Sequence, residues 1–298
     1  MFIIGYIFLF TALFAGAAKG FCGKKTSGYI TSVKDSMLAN IIRMLLCIII
    51  GFIFILFSGE ILQMVPSYKL ILISGLSGIS TTVFVVTWLI SVKKSAYMML
   101  DVFLMLGVLV PIVLGNIFFK EQIKPTQWIG IALLFIAVVI MCSYNNSIKE
   151  RISVSSFLIL LCCGVSNGIT DFSQKLFVKQ LPDISASVFN FYTYVFAAVT
   201  LTVCCIIFRS SGERTSKRDF IKISGYIFVM SIGLFANSFF KTLAAQHLSS
   251  VLLYPLNQGA ALILSTAMSA VFFKEKLTAK CIIGIIIAFI GLITINML

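Results

Sequence analysis

The chain has 298 residues, 60% of them hydrophobic and only 11% charged; a soluble domain carries about a quarter charged residues, so that class is excluded. The formal net charge of +13 at pH 7 does not indicate nucleic acid, because the basic residues sit mostly in short loops between apolar runs, where they act as topology signals. The eight cysteines lie within or at the edges of apolar segments and none forms a CxxC pair, which argues against a disulfide framework or a metal site.

Ten apolar runs follow along the chain, roughly 2–22, 36–57, 69–91, 95–118, 125–144, 153–178, 183–208, 219–245, 249–272 and 278–297. Each approaches the roughly 20 residues needed to cross a hydrocarbon core. Helices satisfy their backbone groups internally, as hydrocarbon demands, and the alternation of a transmembrane barrel is missing. The sequence therefore predicts an all-α polytopic membrane protein with ten transmembrane helices. The first run begins at Phe2 without a basic region before it, so it reads as a retained helix rather than a cleaved signal. Pro66, Pro125 and Pro182 stand at or just before the third, fifth and seventh runs, where a first-turn proline is tolerated. The most charged loop is 209–219, and no connection is long enough for a separate extramembrane domain.

The two halves repeat. FFKEQIKPTQWIGIALLFIAVVIM (118–141) matches FFKEKLTAKCIIGIIIAFIGLITI (272–295) without a gap, pairing Phe118 with Phe272, Lys120 with Lys274, Glu121 with Glu275, Gly130 with Gly284 and Phe135 with Phe289. GAAKG (16–20) lies more loosely over GVSNG (164–168). A fixed-offset match marks duplication. Ten runs divide into two repeats, 1–146 and 147–298, of five helices each. An odd number per repeat forces the repeats into opposite orientations, the inverted-repeat plan of many secondary transporters.

With this plan, the Lys120-Glu121 and Lys274-Glu275 corners, the early glycines Gly130 and Gly284 and the placement of Arg43 near the start of the second run, the chain resembles the EamA-type transporters of the drug/metabolite transporter superfamily. The resemblance covers essentially the whole chain. It implies a multi-pass protein of the cell membrane that moves solutes, efflux among its directions, with both termini cytoplasmic. One departure is Ala17-Ala18-Lys19-Gly20, where members of the family often carry Trp-Gly. The charge distribution points the other way on orientation. Loops after odd-numbered runs hold most of the basic residues, while loops after even-numbered runs hold Lys69, Lys120, Lys124 and Lys179. The positive-inside rule would then place both termini outside, and the orientation stays open.

Ionisable groups inside a span are costly and are functional candidates for that reason. The sixth run carries Asn167, Asp171, Gln174 and Lys175 on one helical face, with Asp171 and Lys175 spaced to pair across one turn. The eighth run carries Asn237 and Lys241, the fourth Asp101, the seventh Asn190 and Tyr194, and the ninth Tyr254, Asn257 and Gln258 beside Pro255. The competing readings are snorkelling for Lys241, a helix-start position for Asp101, and amide bonding between helices for the neutral groups. His247, the only histidine, reads as a corner residue. No GxxxxGK[ST], HExxH or GxSxG motif appears, which argues against ATP-driven transport and intramembrane hydrolysis.

The expectation is a secondary transporter, not an enzyme, that moves a small organic solute by alternating access and uses no cofactor. The candidate polar lining is Lys19, Asp101, Asp171, Lys175, Asn190, Lys241, Tyr254, Asn257 and Gln258. Lys241 or Lys175 would hold an anionic group, and Asp101 or Asp171 a coupling proton or cation. A lipid flippase, a lipid-handling enzyme and a non-transporting scaffold are the alternatives. Substrate identity, coupling ion, direction and oligomeric state stay open.

Overall fold

A computed structural model describes residues 2–30, 32–93, 103–142, 154–207, 217–272 and 279–296, and among them it is helical with no strand. The helices are α1 (Phe2–Ser27), α2 (Val33–Phe57), α3 (Tyr68–Lys93), α4 (Leu109–Phe119, preceded by helical residues 103–107), α5 (Pro125–Cys142), α6 (Val154–Gln180), α7 (Ala186–Ile207), α8 (Lys217–His247), α9 (Ser250–Phe272) and α10 (Ala279–Asn296). A short 3₁₀ turn, Ile61–Met64, joins α2 to α3. Among the described residues, six helices contain a segment long and apolar enough to cross a membrane: Ile3–Gly23, Lys34–Phe57, Tyr68–Trp88, Phe157–Gln180, Ala186–Ile207 and Asp219–His247. Four shorter apolar helical segments, Phe103–Phe119, Pro125–Ile140, Ser250–Leu264 and Ile282–Asn296, fall in the remaining expected runs.

The helices form two compact units, and neither is a sequence half. The first comprises residues 1–86 and 173–247; the second comprises 87–172 and 248–298. Each unit therefore takes helices from both repeats, and the boundary cuts α6 between Phe172 and Ser173.

In the first unit α8 is the centre, with α1 and α2 packed on it and α7 packed on both α2 and α8. Helices α2 and α8 run parallel, as their successive contacts show. Ala39 packs with Ile223 and Ile227, Cys47 Sγ donates to the Ser231 carbonyl at 3.4 Å, and the Phe54 and Phe239 rings meet edge-on at 5.0 Å. Helix α1 runs antiparallel to α8, from Phe8 beside Phe240 to Thr26 beside Met230. Helix α3 reaches α7, where Thr82 Oγ1 donates to the Ala197 carbonyl at 3.1 Å. The 3₁₀ turn is tied to the start of α7: Ser187 Oγ donates to Glu60 Oε2, Ser185 N–H to Gln63 Oε1 and Tyr192 O–H to the Met64 carbonyl.

In the second unit α5 packs on α10, and α9 packs on α4, α5 and α10. Two close approaches are built on glycine. A Cβ at Gly130 would lie 2.7 Å from the Gly291 carbonyl oxygen, so only glycine permits this crossing of α5 and α10. Gly164 and Gly168 of α6 lie against Phe103 and Gly107, whose carbonyl oxygens a Cβ would strike. Small residues at such crossings let helix backbones approach where lipid supplies no hydrophobic drive.

The repeated FFKE corner has a local physical cause. Lys120 ends α4 in the left-handed conformation, φ 54°, and returns its backbone N–H to the Gly115 carbonyl. Asn116 Nδ2 donates to the Glu121 carbonyl at 2.8 Å. The Glu121 carboxylate in turn accepts from the Ser250 N–H at the start of α9. Its counterpart, Phe273-Lys274-Glu275, lies outside the described residues.

Candidate functional site

The described candidates divide between the units. Lys19, Lys175, Asn190 and Lys241 belong to the first; Asp171, Tyr254, Asn257 and Gln258 belong to the second. Asp101 lies outside the described residues.

In the first unit a buried polar chain crosses from α6 to α8 to α7. Gln174 Nε2 donates to Ser238 Oγ at 3.1 Å, and Ser238 Oγ donates to Asn190 Oδ1 at 2.6 Å. Asn190 Nδ2 donates back to the Ala186 carbonyl at 2.8 Å, and Gln174 Oε1 is left buried without a hydrogen-bond partner. One turn on from Asn190, Tyr194 O–H donates to the Leu234 carbonyl of α8 at 3.2 Å. Asn237 ties α8 to α1, its Nδ2 donating to the Ala12 carbonyl at 2.7 Å. Hydrogen bonds of this kind between membrane helices contribute about 0.6 kcal/mol each, so the chain positions its side chains more than it holds the fold.

The lysines of this unit differ in placement. Lys175 is 3% exposed and donates from Nζ to the Ala245 carbonyl at 3.0 Å, in the last turn of α8. A cation at a helix C-terminus satisfies an orphan carbonyl and suits the helix dipole. Lys241 is 8% exposed, so its side chain lies within the protein and does not extend along a lipid-facing surface. Lys19 sits opposite Gly233, at the middle of the Asp219–His247 span, where a Cβ on the glycine would touch its own Cβ at 3.2 Å. His247 ends α8 and stacks on Phe8, ring centroids 6.0 Å apart, as a corner residue.

Aromatic rings flank the polar chain. Phe235 stacks on Phe239 at 6.0 Å and 10°, and Tyr194 meets Phe235 at 6.4 Å. Gly51 of α2 leaves room for the Phe235 ring, which a Cβ there would approach to 3.2 Å.

In the second unit Tyr254, 1% exposed, donates its hydroxyl to the Asp171 backbone carbonyl at 2.6 Å and so joins α9 to α6. Asp171 is 3% exposed. Asn257, one turn after Tyr254 and beyond Pro255, has a buried Oδ1 with no hydrogen-bond partner. Gln258 beside it is half-buried.

Ser238 and Gln174 were absent from the expected lining, although Gln174 shares the α6 face read for Asp171 and Lys175. Ser238 carries no distinctive sequence signal. Arg43 is the clearer omission. It lies nine residues after Lys34 in the Lys34–Phe57 span, deep enough to count by the rule that singled out Lys241.

Comparison with known proteins bears on what such a chain does. The profile of the EamA-like transporter family matches residues 3–143 and again 154–297. The quaternary ammonium compound-resistance protein QacC of Staphylococcus aureus is 31% identical over 105 residues, 35% of this chain and 92% of that relative. QacC of Staphylococcus sp. (strain ST827) is 30% identical over the same length, with the same coverage. A solved protein structure shares the fold over 98% of this chain and 96% of its own, with a TM-score of 0.74 at 14% identity.

Proposed function

The chain belongs to the EamA-like transporter family, and from that premise we propose that it is a secondary transporter that moves a small organic solute across the plasma membrane by alternating access. Ten spans in two inverted five-helix repeats, 1–146 and 147–298, provide the framework. The two consecutive family matches support this division. The observation that carries the reading is the Gln174–Ser238–Asn190 chain, a continuous polar path buried among apolar spans. Polar groups in hydrocarbon are retained where a solute or ion must pass.

Lys19, Asn190 and Lys241 would present polar groups to the solute from helices α1, α7 and α8, which come from both repeats. Asp171, with Asp101, would take up a coupling proton or cation, and Asn257 and Gln258 would line the path in the second unit. Tyr254 and Lys175 would hold helices in place around these groups. The staphylococcal relatives, whose name refers to resistance, support export as the direction.

A thermal-stability screen of the detergent-purified protein against metabolites and drugs is the direct test, followed by flux of each hit into proteoliposomes. A ligand at about 100 times its dissociation constant stabilises by about 2.7 kcal/mol. The expected result is a selective hit whose flux is lost in Asn190→Ala and Lys241→Ala proteins that still fold. Unchanged flux in both variants would remove this lining, and a folded protein that transports no hit would remove the transporter reading.

A further inference from the structure

Within the first unit, Lys19, Arg43, Lys175 and Lys241 lie four or more residues from the nearer end of their spans, whereas Asp35 and Asp219 stand in the first turns of α2 and α8; Asp171, in the same span as Lys175, belongs to the second unit. Lys175 has a structural acceptor in the Ala245 carbonyl. Arg43 differs. Its Nη1 donates to Asn40 Oδ1 at 2.6 Å, one turn earlier on α2, while its Nε–H is buried with no hydrogen-bond partner. A buried donor left unmet is costly, and more so on a charged group.

Two cations stand at one level of α8. Arg43 lies one turn before Cys47, whose Sγ reaches the Ser231 carbonyl, Lys19 packs at Gly233, and the Tyr194 hydroxyl reaches the Leu234 carbonyl. Asn40 holds one arm of the guanidinium, which leaves the edge bearing Nε to receive a ligand. That edge is half of the planar fork that binds a carboxylate through two parallel bonds. Tyr194 and Phe235 continue the site as an apolar wall, suited to the flat or aliphatic body of an organic molecule.

We propose that the transported solute is an organic carboxylate, its anionic group bound by Arg43 together with Lys19. This rests on the transporter reading above and narrows its substrate class. A quaternary ammonium cation would meet like charge at this level.

The test uses the full-length protein and small probes: benzoate, phenylacetate and indole-3-acetate, each beside its neutral amide, with tetraphenylphosphonium as the cation. In wild-type protein the carboxylates are expected to raise the melting temperature and the amides to leave it unchanged. This comparison needs no variant. Arg43→Gln is expected to weaken carboxylate binding at least about tenfold, and Arg43→Lys to fall between, since an ammonium keeps the charge without the fork. Binding of tetraphenylphosphonium in place of the carboxylates overturns the proposal and leaves transport standing. Equal binding of acid and amide also overturns it. Binding of no probe, with no flux of any solute from the wider screen, overturns this proposal and the transporter reading together.

Discussion

Glu121 and Ser250, 129 residues apart in sequence, meet at the start of α9, where the Ser250 N–H donates to Glu121 Oε2 at 2.8 Å. The first N–H groups of a helix have no partner within it, and a carboxylate there meets both the hydrogen-bonding need and the dipole. The FFKE corner is therefore a capping device. Lys120 turns the chain through the left-handed region, and Glu121 reaches the helix that begins in the other repeat.

Replacing Glu121 with Ala is expected to destabilise the protein by about 0.5–2 kcal/mol, the range for losing a helix cap. Glu121→Gln keeps an acceptor and is expected to cost less. Melting in detergent, followed by circular dichroism, ranks the two. Equal stability of Glu121→Ala and wild type would show that the cap contributes nothing.

Gly130 of α5 leaves no room for a Cβ beside the Gly291 carbonyl. Gly130→Ala should force α5 and α10 apart and lower the yield of monodisperse protein. Gly20, where a Cβ meets nothing within 4 Å, is the internal control. Gly20→Ala should be tolerated, and size-exclusion profiles of the two variants compare them directly.

Ser238→Ala removes the hydroxyl that accepts from Gln174 and donates to Asn190. Because Gln174 Oε1 already lacks a partner, losing the Nε2 contact strands that side chain further. A loss of about 1–3 kcal/mol is expected for the unmet buried groups. A Ser238→Ala, Asn190→Leu double variant should recover part of it, since removing both partners leaves fewer orphans. Thermal melts of the single and double variants decide.

Tyr254→Phe deletes only the hydroxyl that reaches the Asp171 backbone carbonyl. The expected cost is about 0.6–1.7 kcal/mol, the span measured for such bonds between membrane helices. If Tyr254 serves only to hold α9 to α6, flux per folded molecule should stay within about twofold of wild type. A much larger loss of flux would make it a solute contact.

The sequence by itself determined the class, the helices and the duplication. Runs that must satisfy every backbone group in hydrocarbon have one local solution, the α-helix, so composition and run length alone sufficed to predict it. The match of 118–141 to 272–295 needed no coordinates, and Gly130 and Glu121 were visible in it before their roles were known. The tertiary structure decided which helices share a unit. The repeats interleave, so α1 and α2 pack with α7 and α8 while α4 and α5 pack with α9 and α10. No periodicity within a single helix encodes that choice, because it depends on which backbones can approach at small residues such as Gly130 and Gly233. The same packing separated residues of like appearance. Lys175 received a helix-end carbonyl, Tyr254 a backbone oxygen and Arg43 an arm from Asn40 with its Nε–H left over. The partner of a buried polar group lies on another helix or one turn away, so its role is settled by three-dimensional proximity rather than by its own place in the chain.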